Sequence, residues 1–383
     1  MTKHRVLIVG AGSAGTSAAR TLASVPQIDL TLVARTGETP SNRVYVKGVA
    51  HGRIGPEQIA LPLPDVAVVK DTVISIDPVA KEARLTAGAQ LEYDSLIVAT
   101  GGVALPLDVE VRVIGHPLGA DRVTPLYSVE DGVRVNALLT ASGAPRRVIV
   151  YGSGFTAAET VSALHADGHD VTLVARSAQP GASAFGMALA REIADAHRDR
   201  VSVRFGSAIA SVSVAAEQVS VRLENEETLD ADLMIVAVGS EPQAPLPWPS
   251  GVPVDEWGRG PVGGVYAAGG VATWRGAGNE SWRIDHWDDS AAQGEHAARV
   301  LLSDVGLGPA QEPYVARSSW DALVYEKAIR GVGRTAPALI KDVPDSGGAT
   351  LHVDADGTLV GVSAIDDDAI ENWSDRVGQH IGG

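Results

Sequence analysis

Twice along the chain a short apolar run breaks on glycines and resumes as an Ala-rich stretch with helical spacing. Arg5-Val6-Leu7-Ile8-Val9 leads into Gly10-Ala11-Gly12-Ser13-Ala14-Gly15, and Arg147-Val148-Ile149-Val150-Tyr151 leads into Gly152-Ser153-Gly154-Phe155-Thr156-Ala157. A brief continuous apolar run bounded by glycine reads as a buried strand. The pattern therefore predicts strand–helix–strand over residues 5–35 and again from 147, with a helix over 155–167 and a second strand at 170–176. After the first of these, residues 36–63 read as a looser segment. Alternating stretches at 72–88 and 90–100 then predict antiparallel strands, turned at Asp77-Pro78 and Gly88. Residues 96–102 read as a buried strand ending in a glycine corner. The second unit repeats this scheme: a helix near 187–199, strands at 201–206, 210–216 and 218–224, and a closing strand and corner at 232–242. A proline-rich crossover (242–261), a third glycine corner (263–270) and a helix (288–303) follow. From residue 313 onward a further unit shows hairpin signals, strongest at 349–366.

In each glycine fingerprint the first glycine makes the strand-to-helix turn and the second lets a pyrophosphate approach the backbone. The third small residue allows close helix–strand packing, and the helix N-terminus faces the phosphates. One such motif is weak evidence. Two, 142 residues apart in matching contexts and each followed by antiparallel strands and a glycine corner, form an internal duplication. That predicts two dinucleotide sites on one chain, the usual arrangement for passing a hydride from nicotinamide to flavin. The expected fold class is α/β: two Rossmann-like three-layer nucleotide-binding domains, the second inserted in the first, plus a small α+β C-terminal domain. The boundaries read as 1–115 with 244–312, then 116–243, then 313–383.

Composition narrows the chemistry. The net charge of −16 argues against nucleic acid or an anionic membrane as the main partner. No apolar run approaches the ~20 residues of a membrane helix, and the first apolar run belongs to the fingerprint domain rather than to a cleavable signal. The expected location is cytoplasmic. The chain has no cysteine, which excludes a redox disulfide, a thiol nucleophile and cysteine-bound metal or iron–sulfur centres. Its ten histidines show no ligand grouping; His165 and His169 flank Gly168 at a helix end. Electron chemistry must then rest on bound organic cofactors. Of the five tryptophans from Trp248 to Trp287, all but Trp287 read as packing residues, and Asp366-Asp367-Asp368 reads as a solvated turn.

Further motifs give the chain a family likeness. It resembles the ferredoxin reductases that serve cytochrome P450s and aromatic-ring dioxygenases, the putidaredoxin reductase and rubredoxin reductase group, nearly end to end. Leu96 to Gly101 resembles that family's ATG segment, Val129-Glu130-Asp131 its element before the second nucleotide domain, and Val238-Gly239-Ser240-Glu241-Pro242 its GxxP corner. Arg283-Ile284-Asp285-His286-Trp287, continuing to Gln293-Gly294, resembles a stretch in which a carboxylate, His and Trp lead into the helix beneath the flavin. The resemblance implies FAD at Gly10, Gly12, Ser13, Ala14, Gly15, Val73, Ala99, Thr100, Gly101, Gly269, Gly270, His286 and Trp287, with Arg43 and Lys47 approaching it; Arg35, a departure from the family, is read as a contact to the adenine or the phosphates. It implies a nicotinamide nucleotide at Gly152, Gly154, Phe155, Thr156, Glu159 and Gly239, to which Arg176 is added on its own chemistry. Lys47 near the flavin and Glu159 beside the nicotinamide are the catalytic pair it implies, along with a ferredoxin or similar one-electron carrier as acceptor. Flavin is needed because nicotinamide moves electrons in pairs while such an acceptor takes them singly.

The departures from the family cluster. Arg35 and Thr36 stand where an acid usually meets the adenosine ribose. The corner Ala268-Gly269-Gly270 lacks the Asp that holds the flavin's ribityl chain, so Gly270→Asp is expected to strengthen FAD retention. An Arg is missing from Gly102-Val103-Ala104-Leu105, and an aromatic pair becomes Ala316-Arg317 ahead of Ser318-Ser319, with Trp320 close by. In the second fingerprint domain Ala175 replaces the acid that selects NAD, followed by Arg176 and Ser177, a pattern suited to a 2′-phosphate. NADPH is the expected donor, NADH the alternative. Lys327, Arg330 and Arg334 are the expected docking cations for an acidic carrier. Two other readings stand beside the reductase: a flavoenzyme acting directly on a small molecule, and a non-redox descendant serving as a binding module. The oligomeric state is not encoded in these patterns.

Overall fold

The computed structural model describes residues 3–35, 40–114, 121–276, 281–335, 341–345, 347–365 and 367–381; Thr36 and Asp366 lie outside the described residues. The chain divides into two units, Met1–Asn42 with Ala60–Val103 and Ser240–Ser319, and Arg43–Ile59 with Ala104–Gly239 and Trp320–Gly383.

In the first unit five parallel strands lie in the order Val265–Ala267, Ser95–Val98, His4–Val9, Ile28–Ala34, Ala67–Lys70. Their near-continuous apolar sequences follow from burial on both faces. Successive side chains alternate between the faces. Val6, Ile8, Leu30 and Leu32 pack under the helices Ser13–Ala23 and Trp287–Asp304. Leu7, Val9, Val33 and Val98 pack on the other side with Val73, Ile76, Ala83 and Leu85 of an antiparallel layer. Trp274 is fully buried there and stacks on Trp282 with ring centroids 5.3 Å apart, which makes this pair a packing element. The two helices lie in backbone contact: a Cβ on Gly294 would stand 2.1 Å from the Ala14 carbonyl oxygen.

The second unit repeats the plan. Its parallel strands run Val123–Pro125, Leu233–Ala237, Arg147–Gly152, Asp170–Ala175, Ser202–Phe205. A four-stranded sheet that includes Ile209–Val214 and Val219–Leu223 covers one face through Val212, Val214, Val219 and Val221. On the other face the helix Phe155–Ala166 is joined by Val129–Thr140, which starts on a capping box between Ser128 and Asp131. The segment expected to be loose contributes a helix here, Val46–Ala50. Val46, Val49 and Ala50 recur at helical spacing and bury against Val148, Val150 and Leu164, so tertiary burial supplies what so short a run lacks in intrinsic stability.

Within the same unit an antiparallel sheet orders Ser319–Val324, Lys327–Gly333, Leu359–Ala364, Thr350–Val353 and Lys341–Pro344. The hairpin expected at 349–366 is the Thr350–Val353 and Leu359–Ala364 pair. Asp367 and Asp368 open a helix, Asp367–Ser374, instead of forming a turn. Acidic residues in a first helical turn are favoured by the macrodipole.

One buried group makes this unit sensitive to acid. His197, 2% exposed at the end of the helix Met187–Arg198, meets the Tyr325 hydroxyl at 2.8 Å through Nδ1. Burial, and then the charge of Arg200, lower its pKa to about 4. The unfolded chain therefore takes up a proton at pH values where the folded one does not, and stability falls as pH drops from about 6.5 toward 4. The expected loss from this residue is on the order of 2–3 kcal/mol. In urea unfolding across that range, His197→Gln should flatten the pH dependence by about that amount relative to wild type.

Candidate functional site

At the carboxyl end of the first parallel sheet three glycine corners converge. Gly10, at φ +105°, turns so tightly that a Cβ would lie 2.4 Å from the Ala99 carbonyl oxygen, and one on Gly15 would lie 1.8 Å from the Gly10 oxygen. Packing alone demands those two glycines. Gly12 differs: it is the extended, exposed N-cap of Ser13–Ala23, and a Cβ there would meet nothing within 4 Å. No side chain caps this helix, so the first-turn amides of Ser13 and Ala14 face the space above Gly12. The Ser13 hydroxyl is committed elsewhere, donating to the Trp287 carbonyl at 2.7 Å. Ala99 and Thr100 end the neighbouring strand, where the buried Thr100 hydroxyl oxygen has no hydrogen-bond partner. Gly101 beyond it leaves open space. An uncapped helix, an open N-cap and an orphaned hydroxyl fit a bound dinucleotide. His286 is the N-cap of Trp287–Asp304 and Trp287 its first residue. Val73 is buried in the apolar layer, and Arg35 is exposed just past Ile28–Ala34.

The third corner is held by a buried network. The Gly269 amide and the Trp274 indole N–H both donate to Gln293 Oε1, at 2.8 and 3.1 Å. Gln293 Nε2 donates to Asp289 Oδ2 at 2.5 Å, and the Tyr314 hydroxyl donates to Oδ1 at 2.8 Å. Burial pushes both the Asp289 carboxyl and the Tyr314 hydroxyl up. At Gly270 the local crowding counts against the expectation for Gly270→Asp. A Cβ there would stand 2.7 Å from Asp285 Oδ1, and Arg283 Nη1 donates to the Gly270 carbonyl at 2.9 Å. The substitution would drive a second carboxylate against the first.

In the second unit Gly152, at φ +147°, lies against the next strand, its Cβ position 2.1 Å from the Ala237 oxygen. Gly154 is the extended, uncapped N-cap of Phe155–Ala166 with open space above it, and Thr156 lies in that helix's first turn. Ala157 is fully buried at the third fingerprint position. Gly239, at φ +109°, follows the strand Leu233–Ala237. Ala175 is buried at the end of its strand, whereas Arg176 and Ser177 are exposed. The Ser177 hydroxyl donates to the Gln179 carbonyl at 2.9 Å and accepts from its amide at 3.1 Å, which shapes the loop.

Lys47 and Glu159, far apart in sequence, form an ion pair, with side chains 29% and 15% exposed. Glu159 Oε1 also accepts the Leu323 amide at 3.2 Å. Phe155 packs edge-on against Phe185 and Trp320, with ring centroids 4.6 and 4.9 Å away. The Arg43 guanidinium lies 4.1 Å from the centre of the Tyr127 ring. Of the three expected docking cations, Lys327 is paired with Glu192 at 2.8 Å and Arg330 is exposed, with Arg334 half-buried.

The pattern of the pyridine nucleotide-disulphide oxidoreductases matches residues 4–294. The chain belongs to that family. Lacking cysteine, this pyridine nucleotide-disulphide oxidoreductase has no redox disulphide of its own. Its relatives include the rhodocoxin reductase of Rhodococcus erythropolis, 24% identical over 94% of this chain and 86% of that one. Other curated relatives, 27% identical, are longer, and the chain spans only about half of their length. Two solved structures show the fold. A covalent putidaredoxin reductase–putidaredoxin complex has a TM-score of 0.80 at 21% identity, covering 99% of this chain and 94% of that one. An engineered water-forming NADPH oxidase bound to NADPH has a TM-score of 0.77 at 21% identity, covering 98% and 91%. Among the described residues no helix is long and apolar enough to cross a membrane, and no group of His, Asp and Glu is arranged to hold a metal ion.

Three participants escaped the sequence reading of this family member. Ser240 and Gln293 sit inside motifs that were recognised, but nothing in the motifs shows what they hold. The Leu323 amide comes from a part of the chain with no local link to Glu159, and Trp320, singled out beside the altered aromatic pair, packs on Phe155.

The two classes of cradle glycine separate packing from binding. Gly10→Ala should destabilise the protein by about 2–4 kcal/mol through the clash and the positive φ. Gly12→Val should leave stability within about 0.5 kcal/mol and yet lower flavin uptake at least tenfold. Denaturant unfolding and FAD titration of the two variants measure the contrast.

Proposed function

We propose that the chain is an NADPH-oxidising flavoprotein of the ferredoxin-reductase type, holding FAD at the Gly12 cradle and the nicotinamide nucleotide at the Gly154 cradle. The duplicated open N-caps carry this reading, because each offers uncapped amides and a positive helix end to a pyrophosphate. FAD, when bound, supplies the conversion between hydride transfer and single-electron release. The chain's own groups bind and orient. Amides of the two first turns take the phosphates, and Gly101 and Gly269 keep the corners low enough for close approach. Thr100 offers the hydroxyl that otherwise lacks a partner. The Lys47–Glu159 pair fixes two opposite charges in a half-buried setting, and the Leu323 amide holds the carboxylate in place.

The preference for NADPH rests on the loop after Asp170–Ala175. Ala175 stands in place of the acid that would repel a 2′-phosphate, and a guanidinium and a hydroxyl follow it at Arg176 and Ser177. The engineered NADPH oxidase provides a parallel. Its changes include Gly to Ala, followed eighteen residues later by three consecutive changes that create Ala-Arg-Ser. Here Ala157 is followed at the same interval (157 to 175) by Ala175-Arg176-Ser177. A one-electron protein carrier as acceptor is supported by the rhodocoxin reductase and putidaredoxin reductase likenesses. Direct action on a small molecule is the second reading. It is favoured by the pairing of Lys327 with Glu192, which lowers the net positive field that would steer an acidic carrier.

The purified protein should show flavin absorption bands, or acquire them on reconstitution with FAD; a colourless protein that takes up no FAD would refute the proposal. In stopped-flow mixing, NADPH should reduce the flavin faster than NADH does. Arg176→Ala should erase most of that difference by weakening NADPH about tenfold or more, with little effect on NADH. Equal loss with both nucleotides would assign Arg176 to general surface charge.

Acceptor choice is tested by salt. Reduction of a ferredoxin should weaken steeply with ionic strength if encounter is electrostatically steered. Fast flavin reduction combined with failure of several ferredoxins at low salt would favour the small-molecule reading.

A further inference from the structure

The third glycine corner carries no side chain at either Gly269 or Gly270, yet the space beside it holds a carboxylate. Asp285 Oδ1 lies 2.7 Å from where a Cβ of residue 270 would be. Its other oxygen, Oδ2, accepts from the Ser240 hydroxyl at 2.5 Å. Arg283 brackets the group: Nη1 lies 3.8 Å from Oδ2 and donates to the Gly270 carbonyl, while Nη2 donates to the carbonyl of Ser240 and, at 2.9 Å, to its hydroxyl. The carboxylate is 13% exposed and therefore held rather than free to swing. It immediately precedes His286, the N-cap of Trp287–Asp304, and adjoins a corner whose Gly269 Cβ position is 3.1 Å from the Ala14 methyl carbon. The carboxylate thus adjoins the start of the second helix and a corner that packs, through Gly269, on the first turn of the first.

A ligand running from a phosphate cradle at one helix to the neighbouring helix needs an acceptor for whatever hydroxyls lie on the way. We propose that Asp285 is that acceptor, anchoring the polyhydroxylated chain of FAD in place of the acid absent from position 270. The inference rests on the reading that FAD occupies the Gly12 cradle. The side chain is a positioning group: it reaches the corner from the segment before the second helix, fixed by Ser240 and Arg283. Gly270 is the condition for this arrangement, because any side chain there would displace the carboxylate.

The test is titration of flavin-free protein with FAD, read by quenching of flavin fluorescence, with ADP as a competitor that lacks the hydroxylated chain. Asp285→Asn, close in shape, should weaken FAD about tenfold or more, as expected for loss of a charge-assisted hydrogen bond. Gly270→Asp alone should weaken it as well. Gly270→Asp combined with Asp285→Ala moves the carboxylate to the corner and should recover FAD affinity to within about threefold of wild type. Competition by ADP should be unchanged in all three, showing that the cradle is folded. Tighter FAD binding by Gly270→Asp, or unchanged FAD binding by Asp285→Asn, would overturn the proposal. So would a parallel loss of ADP and FAD in Asp285→Asn, which would make Asp285 a structural brace. Failure of the wild-type protein to bind FAD would instead refute the cofactor reading, and the inference with it, in a separate arm of the same titration.

Discussion

Backbone-on-backbone contact around the head of the first helix is the constraint on which the first unit depends. Gly15 lies against the Gly10 carbonyl, Gly10 against Ala99, and Gly294 against Ala14, each at a distance no Cβ tolerates. These contacts bring two strand ends, the head of the first helix and the third turn of the helix Trp287–Asp304 into one place. The Ser13 hydroxyl, donating to the Trp287 carbonyl, holds the start of the second long helix beside that of the first. Burial of Val6, Ile8, Leu30 and Leu32 stabilises the sheet, but the glycines decide where its open edge points. At its own fingerprint the second unit uses the same device, at Gly152 against Ala237, so duplication of the sequence motif is duplication of a packing solution.

Charge is handled differently in the two units. In the first, a deeply buried carboxylate, Asp289, is kept satisfied by Tyr314 and Gln293, and through Gln293 it fixes the amide of Gly269. A network of this kind rigidifies when every member is paired, as it is here. In the second, Lys47, Glu159 and the Leu323 amide come from three separate stretches and meet as one cluster. Removing Lys47 would leave a half-buried carboxylate with only an amide to stabilise it, so the pair constrains the short helix Val46–Ala50 as much as any chemistry does.

Much of this was legible in the sequence because it is local. A glycine fingerprint, the apolar run before it and the helix after it lie within some twenty residues, and their physics is that of backbone geometry and burial. The hairpin at Thr350–Val353 and Leu359–Ala364 was legible for the same reason. The pairing of Lys47 with Glu159 was implied by family likeness rather than by pattern. Features set by tertiary contact were not legible. The helix Val46–Ala50 is too short to announce itself and exists because three of its residues are buried. Asp367 read as a turn because an acidic run has no apolar period to reveal a helix.

The Gly270 corner shows most clearly why motif comparison and physical geometry part company. Read position by position, the absence of an acid there is a loss, and its restoration looks like a repair. In three dimensions the volume is taken: Asp285 fills it from fifteen residues downstream, braced by Ser240 from the strand that re-enters the unit. A carboxylate at 285, a hydroxyl at 240, a guanidinium at 283 and no side chain at 270 then form one solution, in which each member makes sense only with the others. A change at any single position should disturb the other three. The four act as one set, because the contacts among them, and not the identity of any one, determine what the corner offers to a ligand.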